Sequence, residues 1–237
     1  KEAWLAIWKV NEESKYIGLG LGLLNFLKRE FSIKNICSIG ISQIVYPMYQ
    51  TLGFEVGQLS QLALINTNLD SYSLAKVPSA FVSENLVTAY NYHIAFIEEE
   101  QLVEQLSDIR LFRNKTQKDS DYFIARFVHH PKFKYRFLGI YQGQELVAFM
   151  VIRTVEHNQC TALRVVDIQG DLTSIVQVTG SLLDLLVSGK HEYLDIMQYG
   201  TSEPELIEAG FIKVGEDEHI IVPDYFQPYV QKNIPIF

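Results

Sequence analysis

Cysteine is nearly missing from this chain: Cys37 and Cys160 are the only two in 237 residues, and neither belongs to a Cys-x-x-Cys or Cys/His spacing. That excludes a disulfide scaffold and a zinc ribbon, and both thiols are expected to be buried in a reducing compartment. Long apolar runs are also missing. Stretches such as Ile17 to Leu24 and Ser181 to Val187 are too short, or too interrupted, to cross a bilayer, so no membrane partner and a cytoplasmic location are expected. Positive charge is in deficit: 20 basic residues face 28 acidic ones, a formal net charge of -8, and no basic cluster offers a grip on a phosphate backbone. Nucleic acid is therefore not an expected ligand. No secretory leader is visible, yet the sequence opens on Lys1 and enters a strand-like run almost at once, so the natural chain is expected to begin earlier.

What is present suits a mixed α/β protein, with 48% hydrophobic residues to build at least one substantial core. The run AWLAIWKV from Ala3 reads as a buried strand, NEESK as a polar turn, and YIGLGLGLLNFLKREF as glycines giving way to a helix that presents Leu23, Leu24, Phe26, Leu27 and Phe31. A second strand is expected over Asn35 to Ile41, a short helix over Ile44 to Leu52 stopped by Gly53, and one or two strands within Phe54 to Ile65. Between about Asn66 and Tyr92 the composition turns to Asn, Ser, Asp and Pro, which marks a connection. The module boundary is placed there, giving modules over 1–75 and 76–237.

The second module is expected to carry a strand at His93 to Ile97, a helix at Gln101 to Ile109, and a helix or loop at Asp121 to His129. Strands follow at Tyr135 to Tyr141, Leu146 to Val155 and Thr161 to Ile168, with Tyr141-Gln142-Gly143-Gln144 between the first two as a hairpin turn. Leu172 to Val187 reads as a strong helix, Tyr193 to Gln198 as a strand, and Pro204 to Ala209 as a short helix ended by Gly210. Phe211 to Val214 with His219 to Val222 reads as a closing pair.

The segment VNEESKYIGLGLGLL resembles motif A of the GCN5-related N-acetyltransferase (GNAT) family, with Lys15, Gly18 and Gly20 at the marked positions of Arg/Gln-x-x-Gly-x-Gly/Ala. Some 26 residues on, YPMYQTLGF matches motif B, a Tyr four positions before the Gly-Phe that opens the next strand. A dinucleotide fold fits less well, because it requires an acidic residue at the end of the next strand, which here reads Gly40-Ile41-Ser42. The resemblance implies an α/β (α+β) fold of two GNAT-like modules, each a mixed sheet flanked by helices, the first truncated at its N-terminus. It also implies an acyl-CoA dependent N-acyltransferase using acetyl-CoA or another acyl-CoA, without a metal.

By the same resemblance, Lys15, Tyr16, Ile17, Gly18, Leu19, Gly20 and Leu21 hold the pyrophosphate of the carrier, and a main-chain amide at or beside Val10 holds the thioester oxygen. The physics agrees, since glycines admit close approach and a helix N-terminus favours an anion. Tyr49 matches the motif B tyrosine that protonates the departing sulfur, a task suited to a phenol. A core aromatic is the alternative role for Tyr49, and Tyr46 is the competing hydroxyl. No general base is singled out.

In the second module the corresponding junction, VVDIQGDLTSIVQVTGSLL, lacks the glycines and places Asp167 and Asp171 where a pyrophosphate would sit. It reads as a module that has lost its cofactor site and shapes an acceptor pocket instead. DYFIARFVHHPKFKY offers Arg126, His129 and His130 for a phosphate or carboxylate on the acceptor, or else a capped helix end before Pro131. The runs LRVVDIQG, with Arg164 and Asp167, and VPDYFQPYVQKNIPIF loosely resemble acyltransferase-like proteins of bacterial surface-polysaccharide biosynthesis. That resemblance implies a small polar acceptor such as a nucleotide-linked amino sugar. Two other readings stay open: a silent GNAT-fold binding or scaffold protein, and a tandem aminoacyl transferase of the cell-wall type. The oligomeric state is left open.

Overall fold

The computed structural model describes residues 2–5, 11, 13, 16–106, 118–200 and 203–237. The chain divides into two compact units, Lys1–Gln58 with Pro235–Phe237, and Leu59–Ile234.

Unit 1 begins with β1 (Glu2–Leu5), passes through α1 (Leu19–Glu30), and returns in β2 (Asn35–Ser38) before α2 (Tyr46–Thr51). β1 and β2 pair in parallel, Trp4 opposite Cys37 and Leu5 opposite Ser38. Parallel neighbours need a long crossover, and the segment containing α1 supplies it. Lys28 and Arg29 occupy the last turn of α1, where the helix dipole favours positive charge. Leu24 on α1 and Tyr49 on α2 are buried.

Unit 2 is built on one seven-stranded sheet. Its strands are β3 (Ser60–Ile65), β4 (Tyr92–Ile97), β5 (Arg136–Gln142), β6 (Glu145–His157), β7 (Cys160–Gly170), β8 (His191–Gln198) and β9 (Ile212–Lys213), in the order β4-β5-β6-β7-β8-β3-β9. All neighbours are antiparallel except β7 and β8. The helices are α3 (Glu99–Gln105), α4 (Ser120–Phe123), α5 (Thr179–Gly189) and α6 (Glu203–Glu208). Strand period puts Leu62 and Leu64 of β3 on one face with Leu182 and Leu186 of α5, while Ala63 and Ile65 face the other way beside Tyr193 and Val222. A third cluster, with Phe123, Phe127, Phe137 and Phe149, lies under α4.

Several local expectations are corrected. Residues 54–59 are not a strand; only Ser60–Ile65 pairs, and it pairs with β8 and β9. The expected closing pair does not pair with itself: Ile212 and Lys213 join β3, while Ile221 bridges to Lys76. Leu172–Val178 is a 3-10 turn of chain before α5, and Ile124–Val128 is a π-helical turn after α4. The end of the expected Gln101 to Ile109 helix lies outside the described residues. Both thiols are half-buried rather than enclosed. The helical stretch Leu172–Gly189, with a mean hydropathy of 1.4, is long and apolar enough to cross a membrane, longer than the runs weighed in the sequence. Here its Ile175, Val178, Leu182 and Leu186 are buried in the core of unit 2, which accounts for its apolar character.

Candidate functional site

The glycine segment forms the entry to α1. Residues 17–18 are a turn, and Gly18, with φ 81°, stands as N-cap in the left-handed region that favours glycine. Gly22 N donates to Gly18 O at 2.8 Å, the first bond of the helix. The amides of Leu19, Gly20 and Leu21 therefore precede the helical ladder and have no partner within it. No side chain caps this end, and no acidic residue stands in the first turn. Tyr16 and Ile17 are 80% and 104% exposed, and Leu19 and Leu21 are exposed as well. Val10 and Lys15 lie outside the described residues. An open helix N-terminus with bare amides suits an anion.

Tyr49 sits in the last turns of α2 and is 5% exposed. The helix ends in a Schellman turn: Phe54 N donates to Tyr49 O, and Gly53 N donates to Gln50 O, both at 3.0 Å. The Tyr49 and Phe54 rings meet edge to face at 5.2 Å, the apolar contact that accompanies such a turn. The Tyr, Gly and Phe spacing of YPMYQTLGF therefore has a local folding cause. Tyr46 donates its hydroxyl to Val56 O at 3.2 Å.

In unit 2 the strand-to-helix junction is closed by its own side chains. Asp171 caps the helical stretch, accepting from Thr173 N at 3.0 Å and from Thr173 Oγ1 at 2.7 Å. Lys118 Nζ lies 2.8 Å from both carboxylate oxygens of Asp167, and burial raises the pKa of that carboxyl despite the lysine. Arg126, on the π-helical turn, and His129, which follows it, are exposed. His130 Nδ1 accepts from Lys132 N and Phe133 N at 3.1 and 3.0 Å, so this nitrogen closes the turn before β5. His130 also stacks on Phe133 at 5.2 Å.

A buried charge cluster occupies the middle of the β7 and β8 pair. Arg164 and Asp195 are register partners, 2% and 0% exposed, with Arg164 Nε 3.5 Å from Asp195 Oδ1. Gln61 Nε2 donates to Asp195 Oδ2 at 2.8 Å. Arg164 donates its Nη atoms to Pro223 O, Asp224 O and the Tyr193 hydroxyl. Burial raises the Asp195 pKa to about 6, against the pull of Arg164. The runs LRVVDIQG and VPDYFQPYV, far apart in sequence, thus meet through Arg164.

No protein-family model matches the sequence, and no curated protein matches it. Among solved structures, the chain is similar to a protein of unknown function from Enterococcus faecalis V583, described as a probable N-acyltransferase. The identity is 11% and the TM-score 0.54, over 86% of this chain and 49% of that one. It is similar also to a GCN5-related N-acetyltransferase from Anabaena variabilis ATCC 29413, at 9% identity and a TM-score of 0.50, over 85% and 49%. The chain has the fold of the GCN5-related acetyltransferases. It spans about half the length of these two structures.

In unit 2 of this acetyltransferase fold, the place between the parallel strands is filled from the tail. The Tyr225 hydroxyl donates to Val165 O of β7, lies 3.1 Å from Asp195 O of β8, and accepts from Met197 N of β8 at 3.2 Å. Burial, then the nearby Asp195, pushes the phenol well above its ordinary pKa, so it remains a donor. Sequence reasoning picked out Arg164 but missed Asp195 and Tyr225. The available signal was the arginine itself, since a cation inside an apolar strand requires a counter-ion.

Proposed function

We propose that unit 1 binds acyl-CoA with its pyrophosphate on the amides of Leu19, Gly20 and Leu21, and that the protein transfers the acyl group to an amine on a small polar acceptor. The observation that carries this reading is the uncapped, exposed start of α1 behind a left-handed glycine. A phosphate oxygen there meets amide donors and the positive end of the helix dipole, and the first turn of α1 carries no acidic side chain. Bound acyl-CoA supplies an activated thioester. Tyr16, Ile17 and Gly18 flank the diphosphate, Lys15 adds a cation, and a main-chain amide at or beside Val10 holds the thioester oxygen. Tyr49 delivers a proton to the leaving sulfur as the acceptor amine attacks.

Unit 2, on this reading, binds no carrier. Asp171 accepts from the Thr173 amide at the junction where a phosphate would sit, and Tyr225 bonds main-chain groups of β7 and β8, where a pantetheine arm would pair. Its role is to shape the acceptor side, with Arg126, His129 and His130 as the polar groups offered to an amino sugar carried on a nucleotide, as in bacterial surface-polysaccharide biosynthesis. Calorimetric titration with acetyl-CoA tests the proposal. Binding is expected for the parent and loss of binding for Gly20→Val, which crowds the cradle. No heat and no thermal shift at millimolar acetyl-CoA with the parent would favour a silent scaffold, a reading supported by the packing role of the Tyr49 ring.

A further inference from the structure

The connection that follows β3 has little regular structure, but its backbone is fixed at several points. Its main anchor is Glu192 of β8, which is buried, and whose carboxylate accepts from the consecutive amides of Ser73, Leu74 and Ala75 at 2.6 to 3.0 Å. A buried carboxylate needs donors, and these charge-assisted bonds hold three residues of irregular chain in one conformation. Lys76 N donates to Ile221 O and Ile221 N to Lys76 O, both at 2.8 Å. The Tyr72 hydroxyl donates to Asn66 O at 2.7 Å, and Gln231 Nε2 donates to Ser73 O and Ala75 O at 2.9 and 3.1 Å.

The segment so fixed lines an open pocket of about 420 Å³, built from unit 2 alone and of the size that takes a small metabolite. Tyr72, Val77 and Phe81 give it apolar surface, and Asp70 and Lys76 give it charge of both signs. Both charged side chains are exposed, and neither makes an ion pair or hydrogen bond among the described residues, with the other or with any neighbour. Gln231 has its amide hydrogens engaged, so it offers the pocket an acceptor oxygen.

We propose that this pocket binds a free α-amino acid with an uncharged side chain. Its carboxylate meets Lys76, its ammonium meets Asp70 and the Gln231 oxygen, and its side chain lies against Tyr72 and Phe81. A ligand with one charge would match one of the two charged groups and leave the other unmatched, whereas a zwitterion matches both. The site shares no residue with the cradle at α1, so it stands or falls apart from the proposed carrier.

The test follows the amide resonances of residues 67–81 in the labelled chain during titration with each neutral amino acid, without acetyl-CoA. A saturable shift centred on this segment and Gln231 is expected for at least one of them. For that amino acid, the N-acetyl derivative and the α-carboxamide each remove one charge, and each is expected to bind about tenfold more weakly. Asp70→Asn is expected to weaken binding of the free amino acid to the same degree and to erase its advantage over the N-acetyl form. Lys76→Met is expected to do the same with respect to the carboxamide. Both side chains are exposed and unpaired among the described residues, so resonances outside the segment are expected to match the parent's. No saturable shift with any neutral amino acid overturns the site. Equal affinity for the amino acid and its two derivatives, or unchanged affinity in both variants, overturns the charge matching on which it rests.

Discussion

Tyr49 joins a folding role to a proposed chemical one, and a single substitution separates them. Phe keeps the ring against Phe54 and removes only the hydroxyl. Tyr49→Phe is therefore expected to lower turnover at least tenfold with the carrier Kd nearly unchanged, measured by steady-state rates beside a titration. Equal rates would remove Tyr49 from the mechanism. The Arg164 and Asp195 pair makes a different residue-level prediction. Arg164→Met leaves Asp195 buried without its cation and is expected to cost about 3–5 kcal/mol in denaturant unfolding. Asp195 is raised to about 6 when folded, from an unfolded value of about 3.9. The folded chain thus binds this proton first, and the contribution of Asp195 to stability rises as pH falls from about 6 to about 4. Asp195→Asn should abolish that part of the pH dependence, and an unchanged slope would show that the carboxyl titrates normally.

At the scale of elements, the caps decide which helix start stays open. Gly18 leaves the first turn of α1 bare, whereas Asp171 caps the 3-10 stretch that leads into α5. Asp171→Ala is expected to cost about 1 kcal/mol of stability in unit 2, the usual loss for such a cap. Tyr225→Phe strips the phenol from Val165 O, Asp195 O and Met197 N, and is expected to cost about 1–3 kcal/mol by thermal unfolding. Most elements were legible in the sequence because they carry local signals. The periodic apolar positions of α1, the alternation in β5 to β7, and Gly53 and Gly210 at helix ends are all visible within a few residues. The partner of β3 was not legible, because Leu62 to Ile65 read as any buried strand and pair with β8 some 130 residues later. The Tyr225 insertion was hidden for the same reason: its three partners lie on strands far from it in sequence.

For the whole molecule, the two units differ in how much they bury. Unit 2 holds three apolar clusters around a seven-stranded sheet, whereas in unit 1 the described buried residues are Leu24 and Tyr49. Amides of α1 and β2 are therefore expected to exchange faster than those of β6 to β8 in the absence of ligand. The candidate donor site was legible because the glycine turn and helix start are contiguous in sequence. With one open cradle and one closed junction, acetyl-CoA should bind once per chain. Amide hydrogen exchange at Leu19, Gly20 and Leu21, with and without saturating acetyl-CoA, asks the central question directly. At least tenfold slower exchange at these three amides is the expected result, and unchanged exchange there under saturating ligand would contradict the assignment of the cradle.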